Sequence, residues 1–294
     1  MKRIMDHLLL GSMGVFLLAV QVVALLLVNP LSTHHIQAFE NPQSLLNPIW
    51  YMGLILAFTL LVLCIIKLDL RWVIHLIILL AVAFTLYLVF FVMLSMIAPP
   101  FSSIGSLTLT TALTLLLYKY PEWYVIDLTA ILIGAGAAAL FGISLAIVPA
   151  LILLIALAIY DAIAVYQTKH MIMLAEGMLE LRVPILFIIP KRRGYSFLER
   201  TPKGEKDAYF MGLGDAVMPS ILVVSAKAFI PNGLVNLPAL GAIIGSLVGF
   251  AALMFIARER PQAGLPFLNT GAIIGFVIGY FCRYRWMIKY IFLY

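Results

Sequence analysis

Residues 144–168 read SLAIVPALILLIALAIYDAIAVYQT, with Asp161 as the only charged side chain. A run of this length and apolarity crosses about 30 Å of hydrocarbon as a helix. A lone carboxylate inside such a run is expensive and usually functional. Working outward, comparable runs stand at approximately 8–28, 49–66, 73–97, 101–118, 123–141, 208–229, 237–257 and 267–290. Pro30, Pro48, Pro99, Pro100, Pro121, Pro231 and Pro261 punctuate them. Lipid-exposed backbone must satisfy its own hydrogen bonds, so these segments are expected to be helices. The reading is an all-α polytopic membrane protein with nine spans. The first run is long for a signal peptide and lacks an obvious small-residue cleavage site, so it counts as a span. Gly134, Gly136 and Ala137 to Ala139 suit the fifth span to close helix packing.

Composition agrees. Apolar residues make up 64% of the 294 positions and charged ones 11%, too few to cover a soluble surface. Cys64 and Cys282 have no metal-ligand spacing, and the five histidines, His7, His34, His35, His75 and His170, form no HExxH or Cys/His cluster. No metal or other cofactor is implied. The net charge of +6 is read as a membrane asymmetry and not as a nucleic-acid footprint. With the N-terminus in the cytoplasm, fifteen of the nineteen lysines and arginines fall on the cytoplasmic side. Lys227, Arg283, Arg285 and Lys289 fall outside, with the C-terminus.

Residues 169–207 interrupt the pattern, so the chain reads as one transmembrane domain, 1–294, in three parts. Spans one to six occupy 1–168, a cytoplasmic connection 169–207, and spans seven to nine 208–294. Within the connection Met171, Leu174, Met178 and Leu181 recur at helical spacing, which predicts a short amphipathic surface helix over 170–181. Residues 185–189, rich in β-formers between Pro184 and Pro190, predict a strand.

Three acids require an account. Asp161 stands eight residues before Lys169, and Asp215 eight residues after Asp207. At 1.5 Å per helical residue each lies about 12 Å from its cytoplasmic boundary, so consecutive antiparallel helices carry one carboxyl each at matching depth. Two carboxyls sharing a site cannot both ionise cheaply. The charged member can take a proton from a water that attacks a peptide carbonyl, while the protonated member donates to the carbonyl oxygen. A helix-to-helix hydrogen bond or a coupling-ion site is the competing use of such acids. Asp127, on span five after Pro121 and Glu122, is expected to be a first-turn acid favoured by the helix dipole. Gly212-Leu213-Gly214-Asp215 sets two glycines beside the acid, where another backbone can come close.

With Tyr160-Asp161 on span six and Gly212-Leu213-Gly214-Asp215 on span seven, the chain resembles the presenilin and signal-peptide-peptidase family of GxGD intramembrane aspartyl proteases. In its compact size it is most similar to archaeal presenilin homologues. The family's third motif is Pro-Ala-Leu at the start of span nine. A literal Pro238-Ala239-Leu240 exists, but it stands at the outer end of span eight, a membrane thickness from the acids. The role is therefore assigned to Pro266-Phe267-Leu268, with Phe267 where the family has alanine. Pro266 disfavours helix at Leu265, so unpaired backbone is expected beside the acids. The resemblance implies Asp161 and Asp215 as the catalytic pair, supported by Tyr160, Gly212, Leu213 and Gly214, with residues 265–268 positioning substrate. It implies transmembrane-helix protein substrates within the lipid bilayer of a prokaryotic cell membrane. Nothing in the sequence requires a partner subunit or nucleic acid. The alternative is an ion channel or secondary transporter using the same aspartates, although no internal repeat is evident. A prepilin-peptidase-like enzyme fits less of the pattern. A serine protease built on Ser246 lacks a suitably placed histidine, since His75 lies near a cytoplasmic helix end.

Overall fold

The computed structural model describes residues 2–68, 71–168, 186–191, 195–196, 208–230, 236–256 and 263–291. Among them are nine α-helices: α1 Lys2–Thr33, α2 Asn47–Lys67, α3 Arg71–Ile97, α4 Ser102–Lys119, α5 Trp123–Ser144, α6 Ile147–Ile163, α7 Leu213–Phe229, α8 Leu237–Ile256 and α9 Gly264–Ile291. Seven helical segments are long and apolar enough to cross a membrane; α2 contributes a shorter stretch, Asn47–Val62. The helices present leucine, isoleucine and phenylalanine outward at many positions, as lipid contact allows. The amphipathic helix expected at 170–181 lies outside the described residues.

One of the two shortest α-helices described is the central one. α7 has 17 residues, of which Ala216, Val217 and the whole run Pro219–Ala226 are buried. A helix apolar on every side is a core helix, and α1, α5, α6, α8 and α9 all pack around it. Small residues make the room. A β-carbon on Gly134 of α5 would press on Leu213, and one on Gly142 would overlap Val224. Gly136 instead admits Val89 of α3. The Ser225 hydroxyl of α7 donates to the Leu145 carbonyl, at the turn between α5 and α6, at 2.7 Å.

Two strands sit inside the helical bundle. The predicted strand is present at Leu186–Pro190 (β1), one residue along, and it pairs antiparallel with Ala208–Gly212 (β2). The second strand corrects the expectation of a helical span beginning at 208. Tyr209 and Phe210 are good strand formers, and an apolar partner lies opposite them. Residues 208–212 are therefore extended, rising about 3.3 Å per residue, and Asp215 stands in the first turn of α7. The matching-depth argument used helical rise across those residues and does not hold in that form. β1 is buried through its middle: Phe187 and Ile189 pack with Met13 and Leu17 of α1, while Ile188 packs with Val82, Leu86 and Ile126.

α8 and α9 meet backbone to backbone. β-carbons on Gly241, Gly245 and Gly249 would overlap the carbonyls of Gly275, Gly271 and Phe267 respectively. This repeat of small residues every fourth position lets the two helices approach closely, and it seats the start of α9 beside α7.

Candidate active site

Asp161 lies near the end of α6, buried, and the helix loosens into a π-turn, Ala164–Thr168, directly after it. Such turns release backbone from the regular ladder and often mark functional segments. Asp215 follows β2 by three residues and is partly exposed. Its carboxyl is bracketed by two glycines. A β-carbon on Gly212 would lie 3.3 Å from Asp215 Oδ2, and one on Gly264 would lie 3.2 Å from Oδ1. Around Gly214 nothing described lies within 4 Å of the β position, so the backbone beside Asp215 is open to approach.

The start of α9 joins the two acids. The Leu265 amide donates to Asp161 Oδ2 at 3.1 Å, while Gly264, the preceding residue, abuts Asp215. Through this one peptide the start of α9 lies against both carboxyls. The expectation that Pro266 would keep Leu265 out of a helix is corrected. α9 begins at Gly264, because first-turn amides have no intrahelical acceptor and a proline among them forfeits nothing. The unpaired backbone predicted beside the acids is the Leu265 amide of that first turn, and Asp161 accepts it. Among the described residues no three His, Cys, Asp or Glu side chains cluster as a metal site.

A family model for signal-peptide peptidase and presenilin aspartyl proteases matches residues 13–284. The chain belongs to that family. Two solved structures, each of a presenilin family intramembrane aspartate protease, one in space group C222 and one in P2, are both 41% identical to it with a TM-score of 0.70. The first covers 92% of this chain and 98% of its own length, the second 91% and 96%. No curated protein matches. The protein is an aspartic endopeptidase that works within the membrane.

For this presenilin-family chain the two proline motifs occupy different places. Pro238 is the second residue of α8, capped by Asn236, whose Oδ1 accepts the Ala239 amide at 3.0 Å and whose Nδ2 donates to the Ala226 carbonyl of α7. Residues 265–268 begin α9, with Leu265 on Asp161, Pro266 and Phe267 toward α8, and Leu268 fully buried. Leu213 packs on α5, and Tyr160 shares a crevice with Met52, Ile55 and Leu56 of α2.

Two roles escaped the sequence reading. Asn269, one turn beyond Leu265, donates from Nδ2 to the Leu154 carbonyl of α6 at 2.9 Å and is fully buried. It holds α9 against the helix that carries Asp161. Its signal was available as a lone amide in an apolar span. Asp127 is the second. It is the fifth residue of α5, past the first turn, and its Oδ1 accepts the Ile188 amide of β1 at 2.8 Å. The dipole reading is replaced by a tertiary hydrogen bond, which no local pattern announces.

Proposed function

We propose that Asp161 and Asp215 share one water and hydrolyse peptide bonds of single-span transmembrane proteins. One carboxylate takes a proton from the water as its oxygen adds to the scissile carbonyl carbon. The other, protonated, donates to the carbonyl oxygen. Collapse of the tetrahedral intermediate breaks the C–N bond, a proton passes to the departing nitrogen, and a carboxylic acid and an amine result. The pair titrates as a unit, so the proton is assigned to the dyad and not to either member.

The observation that carries this reading is the single Gly264–Leu265 peptide, which touches one acid with each residue. Tyr160, Gly212, Leu213 and Gly214 support the acids from neighbouring positions, and residues 265–268 position the substrate. A transmembrane helix hides its amides until it is locally unwound, so an extended substrate segment added to the β1–β2 sheet would present the bond to the acids. The arrangement we infer has nine spans, an N-terminus in the cytoplasm and a C-terminus outside, in a prokaryotic cell membrane. It is one domain over 1–294, with 169–207 as the cytoplasmic connection and no obligatory partner subunit.

The test uses the purified protein in detergent and a labelled single-span peptide. Asp161→Ala and Asp215→Ala are each expected to lower turnover by about 10³-fold or more, while both variants keep the wild-type melting temperature within a few degrees. Cleavage that survives both substitutions sinks the proposal. Ion flux in liposomes that needs Asp161, without proteolysis, would move the pair to transport.

A further inference from the structure

The sheet has two long edges, and the hydrogen bond from Ile188 to Asp127 distinguishes them. In an antiparallel pair, residues alternate between those that exchange backbone bonds with the partner strand and those whose N–H and C=O point away from it. The Ile188 amide donates to Asp127 Oδ1, so Ile188 turns away from β2, as do Leu186 and Pro190 at period two. Ile188 stands opposite Phe210. Phe210 and its period-two neighbours Ala208 and Gly212 therefore turn their backbone to the outer side of β2.

The β1 edge is closed. Ile188 is held by Asp127, and Pro190 has no amide to offer. Among the described residues, no backbone hydrogen bond outside the helices reaches the outer side of β2. That edge runs to Gly212, whose β position lies 3.3 Å from Asp215 Oδ2. Phe210 is 38% exposed, whereas Ile188 opposite it is 1% exposed, so the strand leading to the acid is the more accessible of the two at this position.

Asp127 is costly where it stands. It is 3% exposed on an apolar helix, and its Oδ2 has no described partner. An unpaired strand amide in the same apolar surroundings would also be costly, and one carboxyl oxygen removes that cost.

We infer that Asp127 is a positioning residue: by closing the far edge of the sheet it directs an extended substrate segment onto β2, in register with Asp215. This rests on the strand-addition reading proposed above. A single acceptor oxygen suffices, so asparagine can replace it and alanine cannot.

Two measurements on the full chain test this. Amide exchange over 186–190 reads the tether without substrate. The Ile188 amide is expected to be protected in the wild type and in Asp127→Asn, and to exchange faster in Asp127→Ala. Cleavage of a labelled single-span peptide then reads the consequence. Asp127→Ala is expected to raise KM about tenfold, the worth of one strong hydrogen bond, to change kcat less, and to scatter cuts over neighbouring bonds. Asp127→Asn should restore the wild-type KM and cut position. Should Asp127→Ala fail to fold, wild-type protection of Ile188 and the Asp127→Asn kinetics still decide. Free exchange at Ile188 in the wild type overturns the inference. So does a lost tether with unchanged KM and cut position, or loss of function in Asp127→Asn. Phe210→Pro separates the two ideas. It removes an outward amide of β2, and if it cleaves normally strand addition itself fails, whatever Asp127 does.

Discussion

At the scale of single residues, the site consists of acids held by backbone. Asp161 takes an amide from the first turn of α9, and Asp127 takes one from a strand edge. Both bonds satisfy donors that would otherwise be stranded in an apolar interior. Asn269 belongs to the same group, since its amide fixes α9 to α6 a turn away from the Asp161 contact. Replacing it with leucine removes one buried hydrogen bond. The expected loss is about 1 kcal/mol of stability, together with a lower kcat as the Leu265 amide drifts from Asp161. Thermal melting in detergent and steady-state cleavage check the two parts. Full activity with lowered stability would leave Asn269 a purely structural tie.

Among elements, the α8–α9 pair controls where the Gly264–Leu265 peptide lies. Its interface is backbone on backbone, so an added methyl has nowhere to go. Gly245→Ala is expected to cost about 1–3 kcal/mol, the usual penalty of overpacking, and to reduce cleavage because the start of α9 moves off the acids. Gly53 on α2 supplies the control, since nothing lies within 4 Å of its β position. There alanine should be neutral or stabilise by up to about 1 kcal/mol, because glycine weakens a helix interior. Equal melting temperatures for the two variants would contradict the close-packed interface. The sheet is the other decisive element. It brings the backbone before Gly212 to Asp215 in an extended form, so breaking residues 186–190 should lower turnover without removing either acid.

For the molecule as a whole, the arrangement centres on α7. α7 is surrounded, and among the described residues Asp215 is flanked by the β2–α7 junction and the start of α9, the side from which the proposed mechanism expects substrate to approach. Orientation remains a question of charge. The proposed topology predicts that a tag before Lys2 is protected from protease added to intact spheroplasts, whereas a tag after Tyr294 is digested. Digestion of both, or the reverse pattern, would contradict the inside placement of the basic residues.

The amino-acid sequence alone determined the membrane class, the position of most helices and the 186–190 strand within a residue, and it singled out the two acids proposed as the catalytic pair. Those follow from local chemistry: apolar runs sized to a bilayer, β-formers between prolines, and carboxyls that have no business in lipid. Tertiary structure decided what the local pattern could not. The 208–212 segment is a strand because a partner strand lies beside it, although its apolar residues read equally well as the start of a helix. The Leu265 amide in the first turn of α9 is taken by Asp161, 104 residues away, and Asp127 leaves the helix dipole for a strand 61 residues away. In each case the deciding partner is distant in the chain, so its effect is fixed by packing and is invisible to periodicity.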